Sequence, residues 1–246
     1  MDYAEALTEQ NSLLGKLLLE ADWSLPVPTC PGWTLLQLLR HVGRGDRWAA
    51  QIITDRAPGD LDPRLVRDGK PPADVPGAVR WLTESPRVLL DAVESAGADT
   101  TVSTFLGPRP AAWWVRRRLH EAAVHRVDAS IALDAPCQLP ADVAADGISE
   151  WLDRLADGQA SPLPVGRTLV LRATDPQLTD GTWTIRGVPD GLRWDSAQPD
   201  AADLTLTGPA EGLLLALLRR RPAPDAGVSL RGDVALWDSW LDQTPL

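Results

Sequence analysis

RRRLHEAAVHRVDA, residues 116–129, is the stretch on which the reading of this chain turns. In an α-helix of about 3.6 residues per turn, Glu121 and His125 stand one turn apart on one face, about 40° from each other. His120 and His125 diverge by about 140° and do not readily share a ligand. The pair is therefore Glu121 with His125, and His120 is left as a neighbour. The chain has 3 histidines. The third, His41, falls within a second helical stretch, on the face of Leu38, Gly45 and Trp48. An imidazole in an otherwise apolar stripe of a different helix is what a metal site in a bundle core requires. The spacing E-x-x-x-H recurs by chance, and its coincidence with His41 gives it weight. Two imidazoles and a carboxylate suit Zn²⁺ or another borderline divalent ion. Three protein ligands leave a coordination position open, as in catalytic sites.

Working outward, residues 3–21 carry Leu7, Leu14 and Leu18 at helical spacing. A break at Pro26, Pro28 and Pro31 follows, and Thr34 with Gln37 three residues on reads as a capping box. The helix it opens runs through Leu35, Leu38, His41, Val42, Trp48 and Ile52. Residues 56–77, rich in Pro, Asp and Gly, read as irregular. A third helix is expected over 77–96, kinked by Pro86, and a fourth over 111–133, after Pro108 and Pro110. Four helices with apolar stripes predict a four-helix bundle over residues 1–135.

Beyond Pro136 and Pro140 the period changes. Residues 136–165 read as a linker with a connecting helix at 141–156. Residues 166–246 read as a small α+β domain. Its short alternating runs at 168–173, 182–186, 192–195, 204–207 and 228–231 are expected strands. Helices are expected after Gly208 and Pro209, and at 234–242.

The formal net charge is −10, which argues against a nucleic-acid partner. Arg116 to Arg118 and Arg219 to Arg221 are the densest basic runs. Three consecutive arginines do not share one helical face, so they read as solvated charge. With only 2 cysteines a reducing cytoplasm is expected rather than a secreted, disulfide-stapled fold. MDYAEALTEQ lacks the basic and apolar regions of a signal peptide. No apolar run approaches the roughly 18 residues of a membrane span, so no membrane partner is expected. A monomer is preferred, since two domains can cover each other's apolar faces.

VPTCPGWTLLQLLRHV (27–42), together with RRRLHEAAVHRVDA, resembles the mycothiol-dependent maleylpyruvate isomerase family. The resemblance implies a DinB-like metal-binding four-helix bundle followed by an α+β domain like sterol carrier protein 2. The latter would include DLTLTGPAEGLLLALLRRRP (203–222) and VSLRGDVALWDSWL (228–241). The family's metal ligands fall on His41, Glu121 and His125, the triple that helical geometry selects. By resemblance the activity is that of a thiol-using isomerase or S-transferase, with mycothiol as co-substrate and a small, possibly acidic electrophile as substrate. Asp128 is a candidate to accept a hydrogen bond from a ligand imidazole, with a plain surface carboxylate as the alternative. Arg117 and Arg118 are candidates to hold an acidic substrate or the thiol cofactor. Cys30 precedes a helix N-terminus but reads better as a small buried residue. Trp33, Trp48, Trp113 and Trp114 read as core or pocket wall, and Trp113 and Trp114 do not both face inward. Two other readings stand beside the leading one: a metal-dependent hydrolase without thiol, and a non-catalytic carrier of an apolar ligand.

Overall fold

The computed structural model describes residues 1–158 and 161–244. The chain divides into two compact units, Met1–Gln138 and Leu139–Leu246.

The first unit is built on α1 (Tyr3–Leu18), α2 (Leu35–Asp55), α3 (Val75–Ala96) and α4 (Ala112–Ala132). Their starts are set by side-chain caps. Asp2 accepts from the first turn of α1. Thr34 and Gln37 close both halves of the expected box: Thr34 N donates to Gln37 Oε1 at 2.7 Å and Gln37 N to Thr34 Oγ1 at 3.4 Å. Asp74 accepts from Gly77 N at 2.8 Å with Pro76 in the first turn. That cap starts α3 two residues before the expected position, and the helix is continuous through Pro86.

α1 packs on α3 and α4, and α2 packs on α3 and α4. The core is lined by Leu7, Leu14, Leu18, Leu38, Val42, Ile53, Leu82, Leu89 and Leu119. α4 touches all three other helices. From Trp114 to Ser130 it is buried except at Arg116 and Glu121, which are half-buried. Polar side chains on α4 are thus enclosed whichever way they point.

The irregular 56–74 segment is pinned by indole and guanidinium donors. Trp48 Nε1 donates to Leu61 O at 2.7 Å, Trp81 Nε1 to Asp68 O at 2.8 Å, and Arg44 Nε to Gly69 O at 2.8 Å. Between α3 and α4, β1 (Thr101–Val102) pairs antiparallel with β2 (Arg109–Pro110). Strands of two residues carry no alternation, so the sequence gives no sign of this hairpin.

In the second unit come α5 (Ala141–Ala156), β3 (Thr168–Ala173), β4 (Thr182–Val188), β5 (Gly191–Asp195), β6 (Leu204–Gly208), α6 (Ala210–Leu217), β7 (Ser229–Gly232) and α7 (Ala235–Gln243). The sheet order is β5-β4-β3-β6-β7. β3 and β6 run parallel with Leu171 opposite Leu206, and the other pairs are antiparallel. α5, expected within a linker, belongs to this unit. Trp183 Nε1 on β4 donates to Ser149 Oγ at 2.9 Å and Trp194 Nε1 on β5 to Asp153 Oδ1 at 3.2 Å. Leu213 to Leu217 of α6 are all buried. Among the described residues, no helix is long and apolar enough to cross a membrane.

Candidate metal centre

α2 and α4 meet in layers that ascend one helix as they descend the other. Trp48 packs edge-on against Trp114, with ring centroids 5.1 Å apart. Gly45 faces Arg118 so closely that an added Cβ would clash with the guanidinium group. His41 faces Glu121, with Nε2 3.0 Å from Oε2. His125, one turn further along α4, brings its Nε2 to 3.6 Å from the same oxygen. The ligand atoms of His41, Glu121 and His125 all lie within 4.8 Å of one another. Side-chain exposure rises from 10% at His125 through 23% at Glu121 to 39% at His41, so the cluster opens on the His41 side. His120 is buried and outside the cluster.

The surroundings fit a divalent ion. His125 Nδ1 lies 2.8 Å from Asp128 Oδ2, which fixes the ring and leaves Nε2 turned toward Glu121. Asp128 is fully buried, not a surface carboxylate, and its other oxygen accepts from Thr29 Oγ1 at 2.6 Å. Cys30 Sγ lies 3.4 Å from Asp128 Oδ2, so Cys30, His125 and Asp128 form a second group of ligand atoms that shares His125. Trp33 covers both imidazoles, its ring centroid 4.8 Å from that of His41 and 5.7 Å, stacked, from that of His125. Trp114 is buried and Trp113 only half-buried, as two adjacent helical positions require.

The two arginines correct the solvated reading. Arg117 and Arg118 are both buried. An Arg117 NH2 donates to Glu121 Oε1. Arg118 donates through Nε to Asp46 Oδ1 at 2.9 Å and through NH2 to Val42 O at 3.0 Å, with NH1 3.5 Å from Glu121 Oε2. Sequence reasoning overlooked Asp46, which is fully buried. A signal was present: Asp46 shares the apolar stripe of Val42, Ala49, Ala50 and Ile53, and a carboxylate there demands a counter-ion. Thr29 left no such signal, because its partner lies 99 residues away.

Electrostatics follow from these contacts. Burial would raise the Glu121 carboxyl, but Arg117, both histidines and Arg118 hold it well below the usual carboxylate range. Burial would lower His125, yet its bonds to Asp128, Cys30 and Glu121 hold it well above the ordinary histidine value. Burial dominates at His41, lowering it against the pull of Glu121. Burial also dominates at Asp46, pushed up to about 6 despite Arg118. The site thus combines a firmly ionised carboxylate with two imidazole nitrogens, a donor set for a borderline cation.

The family model described as the mycothiol maleylpyruvate isomerase N-terminal domain matches residues 4–130, and the MDMPI C-terminal domain model matches residues 142–239. Two similar solved structures are crystal structures of the mycothiol-dependent maleylpyruvate isomerase. A histidine-to-alanine mutant aligns with a TM-score of 0.61 at 17% identity, over 93% of this chain and 91% of that one. The other aligns with a TM-score of 0.56 at 16% identity, over 93% and 91%. At these identities the likeness is one of fold. No curated protein matches the chain.

Proposed function

The chain belongs to the mycothiol-dependent maleylpyruvate isomerase family, and from that premise we propose that it is a metal-dependent enzyme using mycothiol or a similar small thiol to isomerise a small electrophilic metabolite, or to transfer that thiol onto it. The observation that carries the reading is the convergence of His41 Nε2, Glu121 Oε2 and His125 Nε2 at the open face of the bundle. A divalent ion held there by His41, Glu121 and His125, Zn²⁺ by the character of the donors, would lower the pKa of a thiol so that it could react as a thiolate near neutral pH.

The remaining roles belong to the chain itself. His41, lowered by burial, offers a neutral nitrogen, and Glu121 offers a carboxylate oxygen; His125, raised by Asp128, Cys30 and Glu121, would give up its Nε2 proton on binding the ion. Asp128 keeps His125 in the tautomer that presents Nε2. Trp33 walls the site, its ring packed against both imidazoles. In an isomerisation, sulfur adds to one carbon of a cis double bond, the resulting single bond rotates, and elimination of the same thiol leaves the trans isomer. In a transfer the new C–S bond persists.

The test is metal content, by plasma mass spectrometry, of protein purified without a metal column. About one equivalent of zinc or a similar ion is expected, lost in both His41→Ala and His125→Ala. Thiol-dependent consumption of a cis-unsaturated acid should accompany it. Wild type that holds no metal even after reconstitution would sink the reading. Turnover that proceeds equally without thiol would replace it with hydrolysis.

A further inference from the structure

The two oxygens of Glu121 face different chemistry. Oε1 is taken by Arg117, while Oε2 faces His41 at 3.0 Å and His125 at 3.6 Å. We propose that Arg117 is a positioning residue that confines Glu121 to a single metal-facing oxygen and so keeps a coordination position free for the thiol sulfur. The role rests on the metal-dependent reading above.

The argument is one of valence. Two imidazoles and one carboxylate oxygen leave a four-coordinate ion one position short. Two imidazoles and both carboxylate oxygens fill it. A glutamate on a helix is free to rotate about its terminal torsion and chelate through both oxygens. A guanidinium bound to Oε1 opposes that rotation. Arg117 suits the task because it lies one turn before Glu121 on α4 and is itself buried, so its hold is little screened by water. Arg118 does a different job. It approaches Oε2 only at 3.5 Å and spends its shorter bonds on Asp46 and Val42 O, bracing the α2–α4 layer behind the site. Arg117 thus commits an NH2 group to a protein carboxylate.

The experiment uses the Co²⁺-loaded protein, in which visible absorption reports the ligand set of the ion. Wild type, Arg117→Met, Arg117→Leu and Arg117→Lys are compared, with helical circular dichroism to confirm folding. The probe thiol is 2-mercaptoethanol, titrated through the sulfur-to-cobalt charge-transfer band. Either apolar variant should still bind cobalt, but with a d–d spectrum shifted from that of wild type as the second Glu121 oxygen takes the fourth position. Its affinity for the thiol should fall about tenfold or more. Arg117→Lys, which retains a donor for Oε1, should return the wild-type spectrum. Apolar variants with unchanged spectrum and unchanged thiol affinity would overturn this role alone. Wild type that takes up no cobalt would overturn both this role and the metal reading beneath it.

Discussion

His125 and Asp128 lie on one turn of α4 with Nδ1 and Oδ2 2.8 Å apart, and the other oxygen of Asp128 accepts from Thr29 at 2.6 Å. One buried carboxylate therefore orients a candidate ligand and anchors the loop that carries Trp33 over it. Local order of residues 27–33 and affinity for the ion should change together. Asp128→Ala should weaken metal binding by about 10- to 100-fold, the range for groups that orient a ligand imidazole. Thr29→Val, which breaks the loop's bond but spares the imidazole's, should weaken it less. Competition against a chromogenic chelator measures both. An Asp128→Ala affinity equal to wild type would exclude the orienting role.

Behind the site, Arg118 and Asp46 form a buried ion pair at 2.9 Å. Removing one member strands the other charge, which typically costs about 3–5 kcal/mol. Asp46→Ala should therefore lower the urea midpoint sharply, while leaving all three proposed ligands in place. Gly45→Ala should destabilise less, about 1–3 kcal/mol, because its methyl group displaces the Arg118 guanidinium without removing its partner. If the glycine variant proves the worse of the two, the pair is not what holds this layer.

Asp46 also supplies a pH dependence whose sign can be worked out. Its carboxyl is raised from 3.8 to about 6 by burial, against Arg118 and Arg47 and with Glu121 nearby. Between those values the folded state keeps a proton that the unfolded state releases. This group's contribution to stability thus declines as pH rises from about 4 to about 6, and is restored on acidification. The side-chain carboxyl ¹³C resonance of Asp46 should titrate near 6. In the metal-free protein, Asp46→Asn should remove that downward component from the stability profile. A midpoint near 4 would show the Arg118 pairing to outweigh burial.

A capping box and a pair of prolines were enough to read the starts of α2 and α4, and one-turn spacing was enough to join Glu121 with His125. Both depend only on residues within a few positions of each other. What the sequence concealed was long-range. That Arg117 and Arg118 are buried follows from α4 touching three helices at once, which no property of the triplet 116–118 encodes. A solvated triplet is the sound expectation for an outer helix and fails for a central one. The pairing of Asp46 with Arg118 spans 72 residues, and that of Thr29 with Asp128 spans 99. Each depends on the register between elements, which the α2–α4 layers set. The placement of α5 was hidden similarly, since the indoles that bind it come from strands 34 and 41 residues away.

The same register gives a physical reason for part of the tryptophan excess, 11 residues against one Tyr and one Phe. Trp48 and Trp81 each place a large apolar ring against the bundle and extend an N–H to a carbonyl of the 56–74 segment, Leu61 O and Asp68 O. Phenylalanine has the ring without the donor, and tyrosine carries its polar group in a different direction. Asp68 itself has φ 51°, in the left-handed region, so its conformation needs outside support. Trp48→Phe and Trp81→Phe should each cost about 1–3 kcal/mol locally, the penalty for an unpaired, partly buried carbonyl. Amide hydrogen exchange should accelerate through residues 59–70 while α2 and α4 stay protected, and metal content should not change. Acceleration spread evenly over the whole first unit would mean that these indoles serve the core, and that the segment is held by other means.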